Sequence, residues 1–286
     1  MTTRYTILHE LKFTYESAVT GSVITLFLAP SRNLHQLVHS FSLSTDPGGS
    51  ITTFTGPYGN RGHFFDRLNP HHELHIRAIS DVVVVPRPPL PESLRDLSWS
   101  TLEAHINTPQ QWIMIHPSHF ARPSSAILKQ FMNKFGIERG NTPWNSIQKL
   151  KTALRATFVY APGSTTANSP IDHILESGQG VCQDYAHVML SILRSWGIPS
   201  RYVSGYLGAD SSSSGRSESH AWVECWLPNV GWFGVDPVND GDCDERHIQV
   251  AVGRDYRDIP PVRGIFNGSL NSKLTTHVKI VRQELR

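Results

Sequence analysis

The sequence predicts an α+β protein in two parts: an antiparallel β-sandwich over residues 1–90, then a helix-first, strand-later domain over residues 91–286. Three observations carry this. Apolar and polar residues alternate at period two, between turns, from Tyr5 to about Val85. A proline-dense stretch, Pro86-Arg87-Pro88-Pro89-Leu90-Pro91, then breaks the pattern. It cannot join a sheet and favours an extended connector. Beyond it, apolar residues recur at helical spacing before strand-like segments return.

In the first part, Tyr5, Ile7, His9, Leu11 and Phe13 fall on one face of a strand. Val23–Leu28 and Leu37–Ser44 read as further strands, and Leu74–Val85 as two or three short ones. Pro47-Gly48-Gly49 and Gly56-Pro57-Tyr58-Gly59-Asn60 have turn chemistry. In the second part, Ser124–Phe135 carries Ile127, Leu128, Phe131 and Met132 at helical spacing, with serines placed to cap it. Pro143 opens another helix bearing Ile147, Leu150 and Leu154. Asp172–Glu176 reads as a short helix. Cys182–Trp196 is apolar around most of its circumference, so it is expected to be central and buried. Gly197-Ile198-Pro199 stops it. Arg201–Tyr206, His220–Leu227, Gly231–Val235 and Thr275–Val281 follow as strands, and the serine run Ser211–Ser214 as a surface loop.

The bulk properties exclude several classes. The chain has 286 residues, 39% hydrophobic and 17% charged, which suits a folded core rather than disorder. A net charge of +2, without runs of Lys or Arg, gives no nucleic-acid footprint. Three cysteines with no Cys-x-x-Cys pair point to reduced thiols. The first ten residues lack the apolar core of a signal peptide, and no segment reaches membrane-spanning length. The expectation is a cytoplasmic protein without a membrane partner.

Three stretches carry chemistry. They are Gly180-Val181-Cys182-Gln183-Asp184-Tyr185-Ala186-His187, Ser219-His220-Ala221-Trp222-Val223-Glu224 and Gly231-Trp232-Phe233-Gly234-Val235-Asp236-Pro237. Acyl transfer through sulfur needs a thiolate, an imidazole to move its proton, and a carboxylate to orient the imidazole. Cys182 falls at a helix N-terminus, where free amides favour an anion and can cradle a tetrahedral oxyanion. Gly178 and Gly180 would let a substrate backbone approach. Alone, a free cysteine is usually a small buried apolar residue, and Asp-Pro often just starts a turn. The tight connection Pro228–Gly231 places Asp236 and His220 together at the far end of a hairpin. Asn69–His75 and Asp240–Glu245 match no convincing metal-binding pattern. Cys225 and Cys243 read as packing residues, and Trp222, Trp226 and Trp232 as core beside the site.

These motifs resemble the transglutaminase-like superfamily of papain-fold cysteine enzymes, in particular its bacterial branch. Phe158–Thr165 is similar to the segment leading into that family's site, and Val252–Gly264 to the branch's C-terminal signature. The β-rich first part is similar to the branch's N-terminal region. The resemblance implies a papain-like catalytic domain with Cys182 as nucleophile, His220 as base and acid, and Asp236 orienting His220. Tyr160 and Gln179 are candidates for the second oxyanion donor. It also implies a peptide or protein amide substrate; from the residue patterns no cofactor and no metal are expected. Hydrolysis by a peptidase or amidase is favoured; the alternatives are transamidation to an amine and a non-catalytic binding module of the same fold.

Overall fold

The alternation that opens the sequence forms one long strand rather than two. In the computed structural model, which describes residues 2–208, 218–268 and 271–283, β1 runs Thr3–Leu26 and bends midway. Its first half pairs with β5 (His71–Val84); its second half pairs with β4 (Arg61–Arg67), which carries β3 (Ile51–Thr55). β2 (Gln36–Asp46) lies outside β5. The bend falls where pairing with β5 slips between Thr14 and Val19. Only Gly21, at φ 58°, is a glycine there, so the sequence held too little turn chemistry to mark it. Likewise β5 is a single strand, because no turn residue interrupts it.

Burial follows the alternation. Tyr5, Ile7, His9 and Leu11 point inward while Arg4, Thr6, Leu8 and Glu10 do not. The two halves of the sheet close as an antiparallel half-barrel around Leu11, Ile24, Leu26, Phe65, Leu74 and Ile76.

After the Pro86–Pro91 connector come α1 (Trp99–His105), α2 (Pro109–Ile113), α3 (Ser125–Lys134) and α4 (Pro143–Thr157). Thr142 caps α4 by accepting the Asn145 amide, with Pro143 at the first helical position. Ser124 occupies the cap position of α3, yet its side chain caps nothing; its own amide donates to Asp172 instead. β6 (Val159–Tyr160), α5 (Ile171–Ser177) and β7 (Gln179–Gly180) lead into α6 (Cys182–Ser195). Every residue of α6 from Asp184 to Arg194 is buried. Each fully buried aliphatic side chain there contributes about 1.5–3 kcal/mol. β8 (Ser200–Leu207), β9 (Glu218–Leu227), β10 (Gly231–Val235) and β11 (His247–Gly253) form a four-stranded antiparallel sheet in the order β10-β9-β8-β11. α6 packs against β8 and β9. The serine run Ser211–Ser214 lies outside the described residues.

The chain then returns to its beginning. β12 (Val262–Asn267) and β13 (Ser272–Gln283) both pair with β1, so two strands of the 91–286 stretch have their hydrogen bonds in the first sheet. The sheets are also joined by side chains that imitate a neighbouring strand. Gln36 donates to the Gln249 carbonyl at 2.7 Å and accepts its amide at 2.8 Å. Asn60 does the same for Val252 at 2.7 and 2.8 Å. These amides satisfy the outer edge of β11, which would otherwise leave buried backbone groups unpaired.

Candidate active site

Cys182 is the first residue of α6 and is partly exposed. Its position is set by the turn before it. The Asp184 carboxylate accepts the Val181 amide at 2.9 Å, a helix-start lock. The Cys182 and Gln183 amides have no acceptor among the described residues, as expected for the first turn of a helix. They face the same end of α6 as the sulfur, which makes them the ready donors to an oxyanion.

The glycines before the cysteine have structural reasons of their own. Gly178, at φ 71°, ends α5 in the left-handed region. A Cβ on Gly180 would come within 2.6 Å of Ile174 and 2.9 Å of Asp184. The packing reason holds for Gly180 alone, since a Cβ on Gly178 would meet nothing within 4 Å.

His220 lies on β9 opposite Gly205 of β8 and is 9% exposed. Its Nε2 is 2.7 Å from Asp236 Oδ2, and the ring also hydrogen-bonds Cys182. With Nε2 engaged, Nδ1 is the nitrogen left for the sulfur. Burial alone would lower the imidazole pKa, but Asp236 and the Cys182 sulfur raise it to about 9. His220 is therefore an imidazolium at neutral pH. Asp236 follows the last residue of β10 and is 1% exposed. Burial would raise its pKa, yet the His220 and His247 hydrogen bonds hold it well below the carboxylate range.

The turn-forming and imidazole-orienting readings of Asp236 are both satisfied, on different oxygens. Oδ1 accepts the Val238 and Asn239 amides at 2.9 and 3.3 Å, an Asx turn, while Oδ2 faces the rings. Asn239 Nδ2 adds a third donor to Oδ2 at 2.8 Å.

Sequence reasoning missed His247. Its Nε2 is 3.1 Å from the same Oδ2 of Asp236, and its Nδ1 is 3.2 Å from Asp244 Oδ1. Burial opposes its charge, while Cys243 and the two carboxylates favour it and raise its pKa well above the ordinary value. Trp222 stacks on His220 and meets His247 edge-on at 5.3 Å, fixing both rings. His220, Asp236 and His247 offer ligand atoms within 4.8 Å of one another. Their 2.7 and 3.1 Å contacts are hydrogen-bond lengths, and the atoms are satisfied without an ion. No local pattern in the sequence marks His247, because it lies on β11, a strand the alternation did not reveal. Replacing His247 by Ala is expected to destabilise the protein by about 1–3 kcal/mol, since two acidic side chains lose a buried partner. Gln should recover part of this by still donating to Asp236. Urea denaturation of both variants at neutral pH measures the difference.

Tyr160 and Gln179 sit upstream on the paired strands β6 and β7, Tyr160 opposite Gly180. Neither borders the cleft around Cys182. That cleft, about 280 Å³, is lined by Gln183, Tyr202 and Tyr256 of the second part and by His9 and Leu11 of β1 and Leu274 of β13. The first sheet therefore builds one wall of the cleft, anchored by a 2.9 Å bond between His9 Nδ1 and the Tyr206 hydroxyl. Cys225 is fully buried, and burial pushes its thiol up. Cys243 does more than pack, since it also hydrogen-bonds His247.

A helix-borne cysteine against an antiparallel sheet, beside a half-barrel, is the architecture of a papain-fold protein built for cysteine-based catalysis. Residues 132–237 match the transglutaminase-like superfamily, and residues 5–83 match the bacterial transglutaminase-like N-terminal region. An uncharacterized protein of Mycobacterium leprae is 31% identical over 283 residues, covering 98% of this chain and 99% of its own. The chain belongs to the bacterial transglutaminase-like family. A protein-glutamine gamma-glutamyltransferase of Pseudomonas aeruginosa is 37% identical over 87 residues, 28% of this chain and 13% of that protein. A crystal structure of a Cytophaga hutchinsonii protein, proposed to be a cysteine protease, superposes with a TM-score of 0.79 at 17% identity, covering 100% of this chain and 92% of that one. It shares the fold.

Proposed function

We propose that the protein is a cysteine-dependent acyl-transfer enzyme acting on amide bonds of peptides or proteins, most directly as a peptidase or amidase. The observation that carries this is Cys182 hydrogen-bonded to an imidazolium that Asp236 holds in place. In the first step the sulfur attacks the amide carbonyl carbon, and the carbonyl pair moves to oxygen. The Cys182 and Gln183 amides receive that oxyanion. Its collapse breaks the C–N bond, His220 protonates the departing amine, and a thioester remains on Cys182. His220, now neutral, takes a proton from an incoming water, whose oxygen attacks the thioester. The products are a carboxylic acid and the restored cysteine–histidine pair. Tyr160 and Gln179, on the paired strands just upstream of Cys182, are proposed only as candidates for a further donor to the oxyanion.

Water is favoured as the second nucleophile because crosslinking needs an acceptor site that excludes it, and among the described residues none around the cleft specifies one. The glutamyltransferase relative favours a second reading, in which an amine enters instead. No helix among the described residues is long and apolar enough to cross a membrane. The three unpaired cysteines support a reducing compartment such as the cytoplasm.

Two measurements test this reading. Iodoacetamide should alkylate Cys182 at least about tenfold faster than Cys225 or Cys243, because Cys182 lines the open cleft beside His220, whereas burial pushes the Cys225 and Cys243 thiols up. Equal rates would count against an activated sulfur. Mass spectrometry of the acyl-enzyme formed on a peptide library, with and without added amine, then separates hydrolysis from transamidation by the product released.

A further inference from the structure

The Val252–Gly264 segment, prominent in the sequence and unused by the cysteine chemistry, borders a second cavity of about 560 Å³. Ser118, His119, Arg122, Arg254, Arg257 and Arg263 line it. Two carboxylates, Asp255 and Asp258, also reach it, and both are already satisfied. Asp255 is 1% exposed and accepts the Phe120 amide at 2.8 Å and the Arg257 amide at 2.9 Å. Asp258 takes Arg254 on both oxygens, at 3.0 and 3.1 Å.

The remaining guanidiniums have no acid. Among the described residues, Arg122, Arg257 and Arg263 form no ion pair. Arg257 donates to His119 Nδ1 at 2.9 Å, and Arg263 to the Arg257 carbonyl, neither of them a carboxylate. Beneath them lies Arg194, 5% exposed, which donates to Ser118 Oγ at 3.0 Å and to the Arg254 carbonyl at 2.6 Å. Positive charge thus converges on one concavity from α6, from the loop before α3, from the segment between β11 and β12, and from Arg263 on β12 itself. The walls are fixed, because buried His187 accepts the Tyr256 amide at 3.3 Å and Asp255 ties the two loops together. Guanidinium forks match the oxygens of carboxylate and phosphate.

We propose that this cavity is a binding site for an oxyanion group, a carboxylate or a phosphate, held by Arg122, Arg257 and Arg263. The site stands on its own charges and geometry and does not require Cys182 to be catalytic. The oxyanion has two possible sources: a free small anion, or an acidic side chain of a polypeptide lying along the Cys182 cleft. The second is within the design of the fold because the two concavities share a wall. Tyr256 and Val262 line the cleft, and the residues that follow each of them, Arg257 and Arg263, line the cavity.

Isothermal titration of the full chain at matched ionic strength tests the proposal, using inorganic phosphate, an acidic peptide and its neutral amide counterpart. Saturable binding of phosphate or of the acidic peptide is expected, weakened at least about tenfold in the double variant Arg257→Ala, Arg263→Ala, because charge-assisted hydrogen bonds are lost. The Lys double variant should fall between, keeping charge without the fork. Circular dichroism checks folding, and Arg122→Ala, at an exposed position, supplies an independent variant. Phosphate binding without peptide binding assigns a free anion; binding of the acidic but not the neutral peptide assigns the polypeptide. If neither probe saturates, or if affinity is unchanged in all three Arg variants, the proposal is wrong.

Discussion

Cys182→Ala is expected to leave a folded protein with at least about a 10⁴-fold loss of amide turnover. The loss is this large because no other group in the cleft can form the thioester, and the remaining triad members act only through the sulfur. The fold should survive because the side chain sits at the first position of α6, partly exposed, where Ala is an excellent helix former. The Asp184 carboxylate that locks the helix start does not depend on the sulfur. Circular dichroism and a thermal melt check the fold; turnover of an amide substrate found by the library measures the loss. Activity that persists in the Ala variant would assign the chemistry elsewhere.

Asp236→Asn is expected to lower kcat by about 10³–10⁴-fold and to change the pH dependence of both activity and stability. In the wild-type protein His220 is held at a pKa of about 9, above its ordinary value of about 6.5. The folded state then binds a proton that the unfolded state has released, so stability from this group is complete below about pH 6.5 and lost as pH rises through about 9. Activity requiring the imidazolium should fall over the same alkaline limb. Removing the carboxylate charge leaves burial as the dominant influence, which lowers the histidine's pKa, so the alkaline limb should move to lower pH. The depressed Asp236 acts with the opposite sign, contributing stability above its unfolded value and losing it as pH falls through the folded one. Denaturant melts of both proteins from acid to pH 10 read the two effects separately. An alkaline limb unmoved in the Asn variant would mean that Asp236 does not govern His220.

Much of the site is legible in the sequence because its parts are locally encoded. The helix start at Cys182 follows from glycine, a free-amide turn and the carboxylate of Asp184 three residues after Val181. The hairpin that brings Asp236 beneath His220 follows from period-two alternation and a short Pro-Asn-Val-Gly connection. His247 and Asn239 were not legible, since neither belongs to a periodic segment and each acts by approaching Asp236 from another element. The same holds for His9, Leu11 and Leu274, whose inward-facing pattern reveals burial but not which cleft they border.

By itself the sequence determined the fold class, the helices α3 to α6 and the strands β8 to β10 that follow them, and the cysteine, histidine and aspartate that meet. Those are consequences of sterics and side-chain period acting over a few neighbours. Only the tertiary structure decided that β1 is one bent strand, that β12 and β13 return to flank it, and that the first sheet walls the cleft. Strand pairing across most of the chain is fixed by which backbone edges remain unsatisfied once the rest has folded, and no local window of residues carries that information.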